Sequence, residues 1–139
     1  MNIYFSCSIT GGRNDQIIYK SIVDHLLQRG HIVPTAHLSD RNVTGLEAVV
    51  DPNEVFERDV TWVKDCDALI AEVSTPSHGV GYEVALALEI SKPVLCLYKQ
   101  GVRVSKMITG NTKSTIRVSS YQTERDALVL VDEFLNQYQ

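Results

Sequence analysis

The 139-residue sequence has few basic residues, few cysteines and no long apolar run. Its 13 Lys and Arg face 17 Asp and Glu, for a net charge of −4. This balance argues against a nucleic-acid polymer as partner, because binding a phosphate backbone requires a basic surface. No apolar run approaches the roughly 20 residues of a membrane span. The first residues also lack a secretory-signal pattern, so we expect a cytoplasmic protein without membrane contact.

Only three cysteines occur, Cys7, Cys66 and Cys96. They are odd in number, far apart and embedded in apolar runs, so neither a disulfide framework nor a zinc site is indicated. We expect buried thiols, no metal and no cofactor. The length and a hydrophobic content of 44% predict one domain spanning residues 1–139.

Runs typical of strands alternate with runs typical of helices. We expect strands at 2–9, 31–34, 67–73, 92–98 and 115–118, and helices at 14–29, 51–65, from the glycine turn through 84–88, and at 123–137. The alternation predicts a doubly wound, flavodoxin- or Rossmann-like parallel sheet of about five strands, with helices on both faces. In a flavodoxin-like order the first and third strands are neighbours, so the loops that follow them converge on one pocket.

The turn before the helix at 84–88 is a candidate anion site. Free N–H groups at a helix N-terminus carry partial positive charge, and Gly79 and Gly81 would let a phosphate approach Ser77 closely. Glu83 falls one turn into the helix, on the same face as the apolar positions, so its carboxylate is expected to point inward. The alternative is an ordinary glycine turn with an acid that offsets the helix dipole.

A second inward acid is expected at Asp59. It lies on the helix that Asp51 and Pro52 begin, in the middle of an apolar face, where an unpaired carboxylate is unfavourable. The face is formed by Val55, Phe56, Val60, Trp62 and Val63. Asp59 therefore either forms an ion pair with an arginine or serves a functional purpose.

The loop after the first strand carries Gly11, Gly12 and Arg13, a plausible second phosphate-binding group. The alternative is a plain turn with a solvated arginine. His37 follows the second predicted strand, where α/β proteins place ligands, although a solvated loop histidine has the same pattern.

Taken together, these motifs resemble the 2′-deoxynucleoside 5′-monophosphate N-glycosidases of the nucleoside 2-deoxyribosyltransferase superfamily, over Ile3 to about Gly110. The matching elements are Ile3-Tyr4-Phe5, Ser8-Ile9, Gly11-Gly12-Arg13, Thr35, His37, Asp59, Trp62, Ala71-Glu72-Val73, Pro76-Ser77, Gly79-Val80-Gly81-Tyr82-Glu83, Arg103-Val104, Ser105 and Met107-Ile108.

The resemblance implies roles for individual residues. Glu83 would be the nucleophile, and Asp59 would assist the departing base and the water. We expect the helix N-terminus to keep Glu83 ionised at neutral pH. The resemblance also implies a homodimer with shared active sites. The substrate-binding residues that it implies are Ser77 and Gly79 at the 5′-phosphate, Ser105 from the second subunit, and Ser8, Ile9, Gly11, Gly12, Arg13, His37 and Met107.

Three positions depart from the pattern of that family. Cys7 stands where glycine is frequent, Thr10 where arginine is common, and Ala36 where an acid often precedes the histidine. The expected activity is hydrolysis of a nucleoside 5′-monophosphate to free base and (deoxy)ribose 5-phosphate. The alternatives are a nucleoside 2-deoxyribosyltransferase, a ribonucleotide N-glycosidase of the cytidine monophosphate type, and a nucleotide-sensing module without catalysis.

Overall fold

The computed structural model describes residues 1–9, 15–40 and 42–139. The strands are β1 (Ile3–Ser6), β2 (Ala68–Glu72), β3 (Val94–Lys99) and β4 (Ile116–Tyr121). The helices are α1 (Gln16–Gln28), α2 (Val43–Ala48), α3 (Pro52–Asp65), α4 (His78–Glu89), α5 (Lys106–Thr109) and α6 (Glu124–Leu135), with a 3-10 helix at Ala36–Ser39.

The four strands form one parallel sheet in the order β1-β2-β3-β4. The first strand pairs directly with β2, with Ile3 opposite Ala68 and Ser6 opposite Ala71. This confirms the expected doubly wound α/β fold, in which these two strands are neighbours. Their carboxyl ends therefore lie side by side at one edge of the sheet.

The strand expected at 31–34 is reduced to one bridge between Asn2 and Ile32, so the sheet has four full strands rather than about five. Two backbone hydrogen bonds form there, from Ile3 N to Ile32 O and from Ile32 N to Met1 O. Pro34 has no N–H group to continue the ladder, and a 3-10 helix follows at once. With the bridge counted, the order is that of a flavodoxin-like sheet.

Both faces of the sheet are covered, because successive residues of a strand point to opposite sides. On one face, Phe5 and Ile70 pack against α1 and α6. On the other face, Tyr4 and Leu69 pack against residues of α3 and α4. All four side chains are fully buried. The hydrophobic core is thus two layers, and the second layer supports the helices that carry both predicted catalytic acids.

Local signals set the helix ends. Gly30 adopts a φ of +80°, the left-handed conformation that a glycine after a helix supplies, and it ends α1 as expected. Asp51 accepts a hydrogen bond from Asn53 N, and Pro52 occupies the first position of α3. The apolar residues of α1 are only partly buried, because Ile17 is 72% exposed and Leu27 is 45% exposed.

Segment 35–51, where the expected elements include no helix, contains the 3-10 helix and α2. All three cysteines are buried, as expected. Among the described residues, no helix is both long enough and apolar enough to cross a membrane.

Candidate active site

Glu83 lies on α4 and faces the carboxyl end of β1. Ser77 caps this helix by accepting a hydrogen bond from Val80 N. The inward neighbours of Glu83 on the helix, Val80 and Ala87, are buried, which confirms the predicted direction of this face. The Ser6 hydroxyl donates a hydrogen bond of 2.5 Å to Glu83 Oε2. Strand β1 and helix α4 thus hold the carboxylate from two sides.

Burial raises the pKa of Glu83 to about 7. The hydrogen bond from Ser6 and the nearby Tyr4 phenol act in the opposite direction, and the charge of Asp59 raises the pKa further. The expectation that the helix N-terminus keeps this acid ionised at neutral pH is therefore only partly met, because a group with this pKa is only partly ionised there. Desolvation outweighs the helix dipole because the carboxyl group sits between the sheet and α3 rather than at the solvated helix end.

Asp59 lies on α3, and its side chain is 17% exposed. Its Oδ1 accepts a hydrogen bond of 2.8 Å from Nε of the preceding residue, Arg58. The apolar face around Asp59 is not packed as expected. Of its five members only Val63 is buried, and Phe56 is 50% exposed. Four of its members, all but Trp62, line a cavity, and Phe56 also meets Tyr82 of α4 edge-on, with ring centroids 6.2 Å apart.

The two acids line the same cavity, which has a volume of about 550 Å³. Ile9, Ser77 and Gly79 line it as well, so five of the predicted site residues surround one space. The apolar part of the wall is Cys7, Leu38, Ala48, Val50, Pro52, Val55, Phe56, Val60, Val63, Val80, Tyr82 and Leu86. The cavity therefore combines a large apolar surface with a few polar groups, as small-molecule sites commonly do.

The N-terminus of α4 forms one end of this cavity. The Ser77 hydroxyl accepts from Val80 N at 3.4 Å and keeps its own proton to donate to a ligand. Gly79 is exposed, and among the described atoms outside its own helix backbone a Cβ added there would meet only Ser77 Oγ, at 3.9 Å. The protein itself therefore does not require glycine at 79. A glycine here leaves room for a ligand against the backbone N–H groups.

Hydrogen bonds through Glu47 of α2 connect the 3-10 helix with α3 beside the cavity. Glu47 Oε1 accepts hydrogen bonds from His37 Nε2 at 2.8 Å and from Arg58 Nη2 at 3.1 Å. The His37 ring also meets Trp62 edge-on, with ring centroids 6.0 Å apart. His37 itself does not line the cavity, but its partner Glu47 does. His37 thus contacts the site through Glu47.

The other predicted residues lie elsewhere. Ser8 is fully buried outside the cavity lining. Ser105 and Met107 line a neighbouring cavity of about 420 Å³, which shares Ser77 and Val80 with the first. The predicted Gly11, Gly12 and Arg13 lie outside the described residues.

A buried acid connects the start of α1 to the segment that leads into α4. Asp15 precedes α1, but its side chain does not cap the helix. Its Oδ2 accepts a hydrogen bond of 2.8 Å from Thr75 Oγ1, and its Oδ1 accepts one of 2.6 Å from Lys99 Nζ. Thr75 stands two residues before Ser77, so these contacts help to place the cap of α4. Nearby, Glu72 accepts hydrogen bonds from Ser74 and Tyr121, and burial raises its pKa.

Four residues at the site were not found from the sequence: Tyr4, Ser6, Glu47 and Arg58. Tyr4 and Ser6 belong to an apolar strand, where only the alternation of side chains indicates that they share a face of the sheet. Arg58 and Glu47 are charged residues that a helix usually exposes. Among the described residues, no cluster of His, Cys, Asp and Glu has the geometry to hold a metal ion.

The fold and the cavity define the class of protein, a doubly wound α/β domain with two carboxylates and a helix N-terminus around one ligand-sized space. The family model of nucleoside 2-deoxyribosyltransferases matches residues 3–128. The chain belongs to the nucleoside 2-deoxyribosyltransferase family.

Individual proteins similar to this chain carry more detailed names. A protein of Methanococcoides burtonii, provisionally named 2′-deoxynucleoside 5′-phosphate N-hydrolase 1, is 40% identical over 85% of this chain and 97% of its own. The 5-hydroxymethyl-dUMP N-hydrolase of Danio rerio is 38% identical over 96% of each chain. The CMP N-glycosidase structure from Clostridium botulinum has a TM-score of 0.73 and 20% identity, over 96% of this chain and 99% of its own. That structure confirms the fold.

Proposed function

We propose that this chain is a hydrolase that cleaves the N-glycosidic bond of 2′-deoxynucleoside 5′-monophosphates, giving free base and deoxyribose 5-phosphate. The observation that carries the proposal is the cavity itself, in which Glu83 and Asp59 face one space together with the N-terminus of α4. The relatives named as N-hydrolases, at 38% and 40% identity, support the reaction and the substrate class.

Glu83 is the nucleophile in this proposal. Its carboxylate attacks C1′ of the sugar while the bond to the base breaks, through a transition state with oxocarbenium character. With its pKa at about 7, a substantial fraction is ionised at neutral pH. The Ser6 hydrogen bond fixes one carboxylate oxygen, which leaves the group oriented for attack.

Asp59 is the acid–base group. It directs a proton to the departing base and then accepts one from the water that hydrolyses the glycosyl ester of Glu83. Assistance of this kind contributes roughly 10²–10⁴-fold to the rate. Asp59 lines the same cavity as Glu83, and its charge raises the pKa of Glu83. Both observations support the assignment.

The 5′-phosphate binds at the N-terminus of α4 in this proposal. Ser77 donates its hydroxyl proton, and the backbone N–H groups near Gly79 provide further donors at the positive end of the helix dipole. Ser105 of the partner subunit completes the phosphate site in a homodimer with two shared sites. Within one chain Ser105 lines the adjoining cavity, and Met107 is 83% exposed, which leaves this segment accessible to a partner.

We also propose that the protein works in the cytoplasm. None of its three cysteines, all within the described residues, forms a disulfide, which suits a reducing compartment.

A substrate panel tests the function. The purified protein is incubated with 2′-deoxynucleoside 5′-monophosphates, the matching ribonucleotides and the unphosphorylated deoxynucleosides, and free base is measured by chromatography. We expect the wild-type protein to release free base from the deoxynucleotides. The Glu83→Ala variant should release none. Faster reaction of the unphosphorylated nucleosides, with transfer to an added base, would identify a deoxyribosyltransferase instead. Tight binding without turnover would identify a nucleotide-sensing module.

A further inference from the structure

Arg58 lies inside the candidate site, although an arginine between Glu57 and Asp59 on a helix suggests a solvated surface. Its side chain is only 26% exposed, and it lines the 550 Å³ cavity beside Asp59 and Glu83. A charged side chain that is largely removed from water usually has an ionic or hydrogen-bonding partner.

Three contacts fix the guanidinium plane. Nε donates to Asp59 Oδ1 at 2.8 Å, and Nη2 donates to both oxygens of Glu47 at 3.1 and 3.3 Å. The guanidinium carbon lies 5.0 Å from the centroid of the Trp62 ring, within range of a cation–π contact. An arginine held by two acids and an aromatic face has little freedom left, so its donors are preorganised.

The remaining amino group, Nη1, has no hydrogen-bond partner within the described parts of the chain. Arg58 lines the cavity, so a ligand there can come within reach of this amino group. The group is always protonated, and it provides a hydrogen bond without giving up a proton. Arg58 is therefore suited to a ligand atom that becomes negative during the reaction.

We propose that Arg58 is a further catalytic residue of this chain, donating through Nη1 to the carbonyl oxygen next to the glycosidic nitrogen of a 2-oxopyrimidine as that base departs. This inference rests on the proposed function. It also selects a class of substrate, because a base without such an oxygen would leave this donor without its partner.

In this step, formation of one bond to C1′ accompanies cleavage of another. A Glu83 carboxylate oxygen forms a bond to C1′, the C1′–N1 bond breaks, and its electron pair leaves with the base. The charge spreads onto O2, where the Arg58 hydrogen bond strengthens as the charge develops. The base anion then takes a proton delivered by Asp59 or water. A donor that binds the developing charge more strongly than the ground state lowers the barrier rather than the KM.

The test compares dUMP with 5-fluoro-dUMP, because fluorine stabilises the departing anion with little added bulk. We expect Arg58→Gln to lower kcat on dUMP by roughly 10–100-fold, the range that hydrogen bonds to charged groups supply. On 5-fluoro-dUMP the loss should be severalfold smaller, because that anion needs less stabilisation. KM should stay within about threefold on both substrates, since the ground state has little charge on O2.

Two further variants complete the design. Arg58→Lys keeps the charge and should recover part of the lost kcat, whereas the control Arg125→Gln, an exposed arginine of α6, should leave kcat unchanged. A purely structural role would lower kcat equally on both substrates, and that result would overturn the inference. So would a wild-type protein active on other monophosphates but inactive on both of these. If the wild type releases no base from any monophosphate, the proposed function itself fails.

Discussion

The hydroxyl of Ser6 donates a 2.5 Å hydrogen bond to Oε2 of Glu83, although 77 positions separate the two residues in the chain. One residue ends β1 and the other lies on α4, so the bond joins the sheet edge to the helix whose N-terminus forms one end of the cavity. It favours the ionised carboxylate, against the burial that raises the pKa of Glu83 to about 7. The balance between these two effects determines what fraction of Glu83 is ionised at neutral pH.

Replacing Ser6 with alanine should therefore shift the pH dependence of the reaction. Without this donor the pKa of Glu83 rises further, and the pH at which kcat/KM is half-maximal on the acid side should move up by about one unit. The measurement is kcat/KM from pH 5 to 9, with the exposed Ser120→Ala as control. An unchanged acid limb in Ser6→Ala would show that this hydrogen bond does not tune Glu83.

Glu83→Gln should abolish turnover and stabilise the fold at alkaline pH. The pKa of Glu83 lies at about 7 in the folded protein against an ordinary value of 4.5, so the native state holds the proton more tightly than the unfolded chain. Protonation of Glu83 therefore adds to the free energy of unfolding. This contribution is complete below about pH 4.5 and is lost as the pH rises to about 7. Glutamine removes this loss, which is about 1–3 kcal/mol for a partly screened group.

The check is thermal unfolding of Glu83→Gln and wild type at pH 4 and pH 8. The variant should melt several degrees higher at pH 8 and show a smaller advantage at pH 4. Equal differences at the two pH values would mean that Glu83 titrates normally in the folded state.

Two glycines of α4 offer a matched pair for testing the proposed phosphate site. Gly79 lines the main cavity, whereas Gly81 lines only the neighbouring one, and a Cβ added at 81 would meet no described atom outside its own helix backbone within 4 Å. Alanine at either position should stabilise the free protein by about 0.5–1 kcal/mol, because glycine is unfavourable inside a helix. Only Gly79→Ala should raise KM for the monophosphate, by about tenfold or more. Equal KM values for the two variants would argue against phosphate binding at this helix end.

Subunit mixing tests the shared site. Glu83→Ala and Ser105→Ala should each have low monophosphate activity, and mixed dimers should contain one site with both residues intact. Activity should therefore recover partly when the two proteins exchange subunits. The control is each variant mixed with itself, and sedimentation of the wild type gives the oligomeric state. A fully active monomer would contradict the arrangement.

The periodicity of the sequence was sufficient to predict the framework of the site. The spacing of apolar residues placed Glu83 and Asp59 on inward faces, and both line the same cavity. The strand–helix alternation predicted that β1 and β2 would be neighbours. Their roles in catalysis stay predictions, as do those of Gly11, Gly12 and Arg13.

Contacts between distant segments could not be read in the same way. Nothing in the sequence connects Ser6 with Glu83 or Asp15 with Thr75, because strand alternation gives the face of a side chain but not its partner. The pKa of Glu83 was misjudged for a related reason. The dipole effect can be read from helix position, whereas the desolvation that outweighs it depends on the packing of β1 and α3 around the carboxyl group.

The apolar face of α3 has a consequence for the lifetime of the protein. Val55, Phe56 and Val60 line the cavity, with Phe56 also edge-on to Tyr82 of α4, and Val63 is the buried residue of the helix. A nucleotide in the cavity would cover this face and stabilise α3 by mass action. Because proteases cleave locally opened segments, we expect the chain to be degraded more slowly where its substrate is abundant. The supply of nucleotide would then set the amount of enzyme as well as its rate of turnover.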